Sequence, residues 1–258
     1  MKSIKIVFFD IDGTLFKLHT NEMSPRTLET LQKLRENGVK ICVATGRSPM
    51  GLPKFEGIIF DAYLTYNGSY CYTKDETIFS NSISKEDVAQ ILSNAEKMKK
   101  PVTVALKSQM TSNGLDKDLE TYMAVENLSL EVSEDFEETV KDEVYQVMLA
   151  CCPDEYAQIL EHVKGAKIAT WWDRAVDIIP ADGGKGMGIK SMLKFYGFDK
   201  SEALAFGDGN NDIEMLQAVG TGVAMGNASE DLKAVADEIC GDVSEDGIYH
   251  YCVQHNII

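Results

Sequence analysis

The 258-residue sequence predicts an α/β fold: a doubly wound parallel sheet with an inserted α+β unit. Three observations predict it. Apolar runs without polar alternation, at 4–9 (IKIVFF), 39–44 (VKICVA) and 203–206 (ALAF), read as strands buried on both faces, as in a parallel sheet. Helical stretches separate such runs, the rhythm of right-handed β-α-β crossovers. That rhythm breaks near residue 82 and resumes after Asp182.

In order along the chain, the strand at 4–9 is followed by Ser24-Pro25, an N-cap with proline at the first helical position. Leu28, Leu31 and Leu34 continue at helical spacing and Gly38 is placed to end the helix. The strand at 39–44 comes next, then a third at 58–64, then a turn at Asn67-Gly68. Ser84 and Asp87 resemble a capping box opening a helix over 85–99, with Val88, Ile91, Leu92, Ala95 and Met98 on one face and Pro101 as its stop. A strand at 102–106, a helix at 116–126, a strand at 144–151, a helix at 154–164 and strands at 167–172 and 175–179 complete a mixed α+β unit. The parallel rhythm then returns: helix 184–196, strand 203–206, helix 213–219, strand 221–225, helix 229–236 and a short strand at 238–240. The expected domains are a core of 1–81 with 183–258 and an inserted cap of 82–182.

Composition narrows the classes of function. Twenty-five Lys and Arg stand against 41 Asp and Glu, a net charge of −16, so neither a nucleic acid nor an anionic membrane surface is an expected partner. No apolar run approaches the length of a membrane span. The first apolar run is too short for a signal-peptide core and lacks a small-residue cleavage site, so a cytoplasmic protein is expected. The cysteines, Cys42, Cys71, Cys151, Cys152, Cys240 and Cys252, form no C-x-x-C pair and read as reduced core thiols. The scattered histidines, His19, His162, His250 and His255, suggest no chemistry.

Ligands of open parallel sheets bind at the carboxyl ends of the strands. Four polar segments fall there. Asp10-Ile11-Asp12-Gly13-Thr14 follows the first strand, and Thr45-Gly46-Arg47 follows the second. Lys185 opens a helix within GGKG, and Gly207-Asp208-Gly209-Asn210-Asn211-Asp212 follows ALAF. D-x-D-G-T arises by chance about once in 10⁵ starting positions, so it is the most specific of the four. The others have ordinary readings as turn, loop or solvated lysine; together, in this order, they point to one site. Asp10, Asp12, Asp208 and Asp212 would bring carboxylates into one cleft, which is costly unless a cation compensates them. An all-oxygen donor set favours a hard ion such as Mg²⁺. Thr45 and Lys185 suit phosphate oxygens, as do backbone N–H groups at Ile11 and Gly46. A carboxylate attacking phosphorus requires such cations, because two anions must meet.

With these motifs in place, the chain resembles the haloacid dehalogenase (HAD) superfamily phosphatases, most closely the Cof-type branch, subfamily IIB. DIDGT, ATGR, GGKGMGI, GDGNNDIEML and AMGNA carry the resemblance across the whole length. It implies that Asp10 is the nucleophile and forms an aspartyl phosphate. Asp12 would then be the acid that protonates the leaving group and the base that activates water. Thr45 and Lys185 would hold the phosphoryl group, with Asn211 in contact with it. Asp10, the backbone carbonyl of Asp12 and Asp208 would bind Mg²⁺, with Gly209 and Asp212 supporting. The implied activity is hydrolysis of a small phosphorylated metabolite of sugar-phosphate type, with the cap as a lid. Arg47, Trp171, Trp172, Asp173 and Arg174 are candidate substrate contacts. A phosphosugar mutase with the same chemistry, or a phospho-accepting binding module, are the competing readings. Residues 82–182 hold ten basic and twenty acidic side chains, so most of the acidity lies on the cap.

Overall fold

A computed structural model describes residues 3–258 except 19, 21, 125–127, 130, 170 and 171. In the first part of the chain, β1 (Ile6–Phe9), α1 (Pro25–Glu36), β2 (Lys40–Ala44), β3 (Ala62–Thr65), β4 (Tyr70–Tyr72) and β5 (Thr77–Ser80) follow one another. The middle holds α2 (Lys85–Lys97), β6 (Thr103–Ala105), β7 (Met110–Ser112), α3 (Lys117–Ala124), α4 (Phe136–Thr139), β8 (Gln146–Ala150), α5 (Tyr156–Ile159), β9 (Ala166–Ala169) and β10 (Ala175–Pro180). The last third holds α6 (Lys185–Tyr196), β11 (Ala203–Gly207), α7 (Ile213–Ala218), β12 (Thr221–Ala224), α8 (Glu230–Val235), β13 (Glu238–Ile239) and α9 (Gly247–Gln254).

The chain divides into two compact units, one of Met1–Gly46, Pro53–Phe79 and Lys185–Ile258, the other of Arg47–Leu52 and Ser80–Gly184. The first is built on a sheet of order β13-β12-β11-β1-β2-β3-β4-β5. It is parallel from β13 to β3 and turns antiparallel at β3–β4. β1 lies between β11 and β2, with Val7 opposite both Leu204 and Ile41. All of β1 and β11 is buried, which is why their sequences carry no polar alternation. α1 begins as expected: the Ser24 hydroxyl accepts from Thr27 N–H at 3.0 Å, with Pro25 in the first turn.

The second unit carries an antiparallel sheet of order β7-β6-β8-β10-β9. Val104, Val147, Leu149, Val176 and Ile178 point to one face and pack with Val88, Ile91 and Ala95 of α2. Asp177 alternates to the opposite face, where the Tyr122 hydroxyl donates to its carboxylate at 2.7 Å.

Several elements differ from expectation. Of 58–64, only Ala62 onward is strand. Asp61 bonds Lys40 Nζ at 2.7 Å and Ile41 N–H at 3.1 Å, and so anchors the approach to β3 from the side. The helix expected over 154–164 shrinks to a 3₁₀ turn and α5. His162 has φ of 63°, and after Val163 the N–H groups of Lys164 and Gly165 go to the Asp87 carboxylate at 2.9 and 3.0 Å. The strand expected to 172 ends at Ala169, and residues 170 and 171 lie outside those described. Asn67-Gly68 does join two antiparallel strands, but through a 3₁₀ turn, Tyr66–Gly68. Sequence reasoning missed β4, β5, β7, α4 and α9. Cys152 is exposed and Cys240 half-buried, so these two are not core thiols. Among the described residues, no helix is long and apolar enough to cross a membrane.

Candidate active site

Phe9 of β1 stands opposite Phe206 of β11, and the Asp10 N–H extends that ladder to the Phe206 carbonyl at 3.0 Å. Parallel pairing therefore sets Asp10 beside the chain that continues to Asp208. Beyond Asp10 the backbone turns sharply: the Ile11 carbonyl accepts the N–H groups of Leu15 and Phe16 at 3.0 and 2.9 Å. Gly13 has φ of 86°, and a Cβ there would lie 2.1 Å from Asp208 Oδ2. Only glycine lets the two loops close this far. The Thr14 hydroxyl donates to Asp208 Oδ1 at 3.1 Å.

Lys185, the first residue of α6, is buried with its ammonium between two carboxylates. Nζ donates to Asp10 Oδ1 at 2.6 Å and to Asp212 Oδ1 at 2.5 Å. The other oxygen of Asp212 accepts the N–H groups of Asp208 and Gly209, both at 3.0 Å. Asp212 thus orients the lysine and shapes the Asp208 loop together. The Gly209 carbonyl accepts the Asp212 N–H at 2.9 Å, closing the 3₁₀ turn at Asn210–Asp212.

Carboxylate oxygens of Asp10, Asp208 and Asp212 lie within 4.8 Å of one another. Burial pushes Asp10 up to about 7 against the opposing pull of Lys185. Burial also pushes Asp208 up to about 9, with the charges of Asp10 and Asp212 adding to it. Lys185 is raised, because its two carboxylates outweigh the effect of burial on the ammonium. Three carboxyl groups around one ammonium form a cleft of oxygen donors whose full ionisation needs further positive charge, which fits a hard divalent cation. Asp12 is half-buried, and its charge adds to the upward push on Asp10.

Thr45 directly follows β2 and is 2% exposed. Its N–H donates to the Leu64 carbonyl, and its own carbonyl accepts the Asn67 N–H, each at 2.9 Å. At Gly46 a Cβ would sit 3.2 Å from the Asn67 amide nitrogen. Asn211 Nδ2 donates to Asn67 Oδ1 at 3.1 Å. Arg47 instead belongs to the second unit, where its guanidinium donates to the Gly51 carbonyl at 2.9 Å. In that same unit Arg174 lies 4.3 Å from the Trp172 ring and bonds Asp118 at 3.1 Å, while Trp172 stacks on Tyr122. Asp173 is exposed, and Trp171 lies outside the described residues.

Sequence reasoning missed Asn67, which looked like a hairpin turn, and the hydroxyl of Thr14. It also assigned nothing to Asn227 of AMGNA, which donates to the Gly13 carbonyl at 2.8 Å and accepts the Val243 N–H at 3.0 Å.

A family profile described as haloacid dehalogenase-like hydrolase matches residues 7–252. The chain belongs to that family. YkrA of Bacillus subtilis is 33% identical over 250 residues, covering 95% of either chain. A second B. subtilis relative, the 5-amino-6-(5-phospho-D-ribitylamino)uracil phosphatase YitU, is 26% identical over 97% of either chain. Among solved structures, a sugar phosphatase of HAD subclass IIB superposes with a TM-score of 0.92 at 30% identity, covering 98% of this chain and all of the other. This HAD chain is therefore a phosphatase-class hydrolase, and its two-sheet architecture is that of the family.

Proposed function

We propose that this HAD chain is a Mg²⁺-dependent phosphomonoesterase acting on a small phosphorylated metabolite of sugar-phosphate type through an aspartyl-phosphate intermediate. The observation that carries the proposal is the buried Asp10–Lys185–Asp212 chain, set beside Asp208. Asp10, the Asp12 carbonyl and Asp208 would hold the cation, with Asp212 behind them. When bound, the cation supplies positive charge that keeps Asp10 ionised and offsets the charge of the phosphate.

The chain's own groups divide the remaining work. Lys185 fixes the Asp10 carboxylate by one oxygen and brings positive charge to the transferring group. An Asp10 oxygen bonds to phosphorus as the bond to the leaving oxygen breaks, and Asp12 gives that oxygen its proton. Water then attacks phosphorus as Asp12 takes a proton from it, and the P–O bond to Asp10 breaks to release inorganic phosphate. Thr45, the N–H groups of Ile11 and Gly46, and Asn211 contact the phosphoryl oxygens. The residues of 82–182 serve as the lid that selects the leaving group, with Trp172 and Arg174 among its contacts; 1–81 and 183–258, apart from the Arg47–Leu52 stretch that belongs to the second unit, form the catalytic core.

The test is a panel of phosphorylated metabolites assayed with Mg²⁺ for phosphate release and for isomerisation of hexose phosphates. Hydrolysis that Asp10→Asn abolishes is the expected result. Isomerisation without net hydrolysis would make the chain a mutase, and a stable phosphoprotein without turnover would make it a binding module.

A further inference from the structure

The turn between β3 and β4 has a conformation that its sequence disfavours. Tyr66 and Asn67 both have φ of 52°, and Gly68 follows at 83°. Glycine takes this region readily and asparagine tolerates it, whereas a bulky residue such as tyrosine is a genuine outlier there. Yet Tyr66 is 0% and Asn67 2% exposed, so this is not a loose surface loop. Such backbone persists only where its surroundings over-determine it.

Those surroundings are three of the four polar segments. The Asn67 N–H holds the Thr45 carbonyl at 2.9 Å. The Asn67 amide lies against Gly46 so closely that a Cβ would come within 3.2 Å of its nitrogen and 3.3 Å of its oxygen. Its Oδ1 accepts from Asn211 Nδ2 at 3.1 Å. On the far side of the turn, a Cβ on Gly188 of α6 would meet the Gly68 Cα at 3.1 Å. The helix that opens with Lys185 is thus seated on the same three residues.

We propose that Asn67 is a positioning residue, whose left-handed backbone and amide together set the spacing between Thr45-Gly46 and Asn211, and so the width of the phosphoryl-binding cleft. The proposal rests on the phosphatase reading for its ligand, a phosphoryl group. Asn67 acts through its neighbours: it fixes one loop by its main chain and the other by its side chain. Asn is the residue type that meets both demands, since it tolerates positive φ and carries an acceptor at short reach.

Asn67→Gly separates the two demands, because it keeps the backbone conformation and removes the amide. The measurements are kcat and KM for p-nitrophenyl phosphate with Mg²⁺, the Kd of inorganic phosphate by calorimetry, and the melting temperature. The expected result is an unchanged melting temperature with kcat/KM lowered about 30-fold, the scale of a small misplacement of reacting groups. Phosphate affinity should weaken about tenfold, and in an Asn211→Ala background the same change should cost under about threefold more, since both remove one contact. Wild-type kcat/KM and phosphate affinity in Asn67→Gly would overturn the proposal, as would undiminished losses in the double variant. If the wild type hydrolyses no phosphomonoester, the phosphatase reading fails on its own. The phosphate titrations still decide the positioning role then: equal or undetectable binding in wild type and variant overturns it, and weaker binding in the variant supports it.

Discussion

At the scale of single residues, the site is defined by charge that burial makes expensive. Asp10 and Asp208 are raised from an ordinary 3.8 to about 7 and about 9. Between those values the folded protein holds protons that the unfolded chain has released. Stability of the metal-free protein therefore falls as pH rises, from about pH 4 upward, through about 7 for Asp10 and about 9 for Asp208. The divalent cation proposed for this site would bind the deprotonated carboxylates and so reverse this loss. Added Mg²⁺ should raise the melting temperature strongly at pH 8 and little at pH 5; equal gains at both would contradict the assignment. Asp12 makes a second case. Its replacement by Ala should lower kcat by about 10²–10⁴-fold, the range of one general acid-base group, while leaving Mg²⁺-dependent stabilisation in place. Turnover near that of the wild type would remove Asp12 from the mechanism.

At the scale of elements, Asp87 shows how one side chain can do the work of a loop. Its N–H donates to the Ser84 hydroxyl at 3.1 Å, capping α2, while its carboxylate receives the N–H groups of Lys164 and Gly165. The Lys164 N–H, first among these partners, holds the carboxyl below its usual range. Asp87→Ala strands both donors and should destabilise the unit by about 1–3 kcal/mol at neutral pH. Because the folded value is depressed, this contribution is complete above the ordinary carboxylate range and is lost as pH falls through the folded value. Denaturant unfolding at pH 7 should separate wild type from variant, and the gap should narrow in acid. Sequence reasoning found the Ser84 cap, but the Asp87 carboxylate, which a capping box would turn back to the Ser84 N–H, goes to distant partners that were not legible, for a general reason. β1, β2 and β11 were legible because burial on both faces leaves continuous apolar runs. β4 and β7, YCY and MTS, are three residues each and become strands only through their neighbours. α9 starts from Asp246 at φ of 56° with no side-chain cap, so its boundary left no local signal. The convergence of Asp10, Lys185, Asp208 and Asp212 was legible because charged groups at strand ends and a helix start need a chemical reason. Asn67 was not, because Asn-Gly is equally the sequence of a plain hairpin turn.

At the scale of the molecule, the net charge of −16 must be reconciled with an anionic substrate. At the proposed phosphate site the buried cation is Lys185, already shared between Asp10 and Asp212, so any further positive charge there has to come from the proposed divalent ion. An approaching anion therefore meets repulsion from the protein as a whole and attraction only at short range. Small monophosphates carry little charge outside the cleft and lose least by this. Polyphosphates keep several charges exposed to the surrounding field, and the repulsion grows with each one. At low salt, kcat/KM for tripolyphosphate should fall at least about tenfold below that for a small sugar monophosphate. Raising ionic strength from about 0.01 to about 0.5 M contracts the screening length several-fold and should narrow the ratio. Chelation acts on the short-range attraction instead: it should abolish turnover of both substrates at either salt concentration, and Mg²⁺ should restore it. A ratio insensitive to salt would place the discrimination in the shape of the leaving-group site and not in the field of the protein.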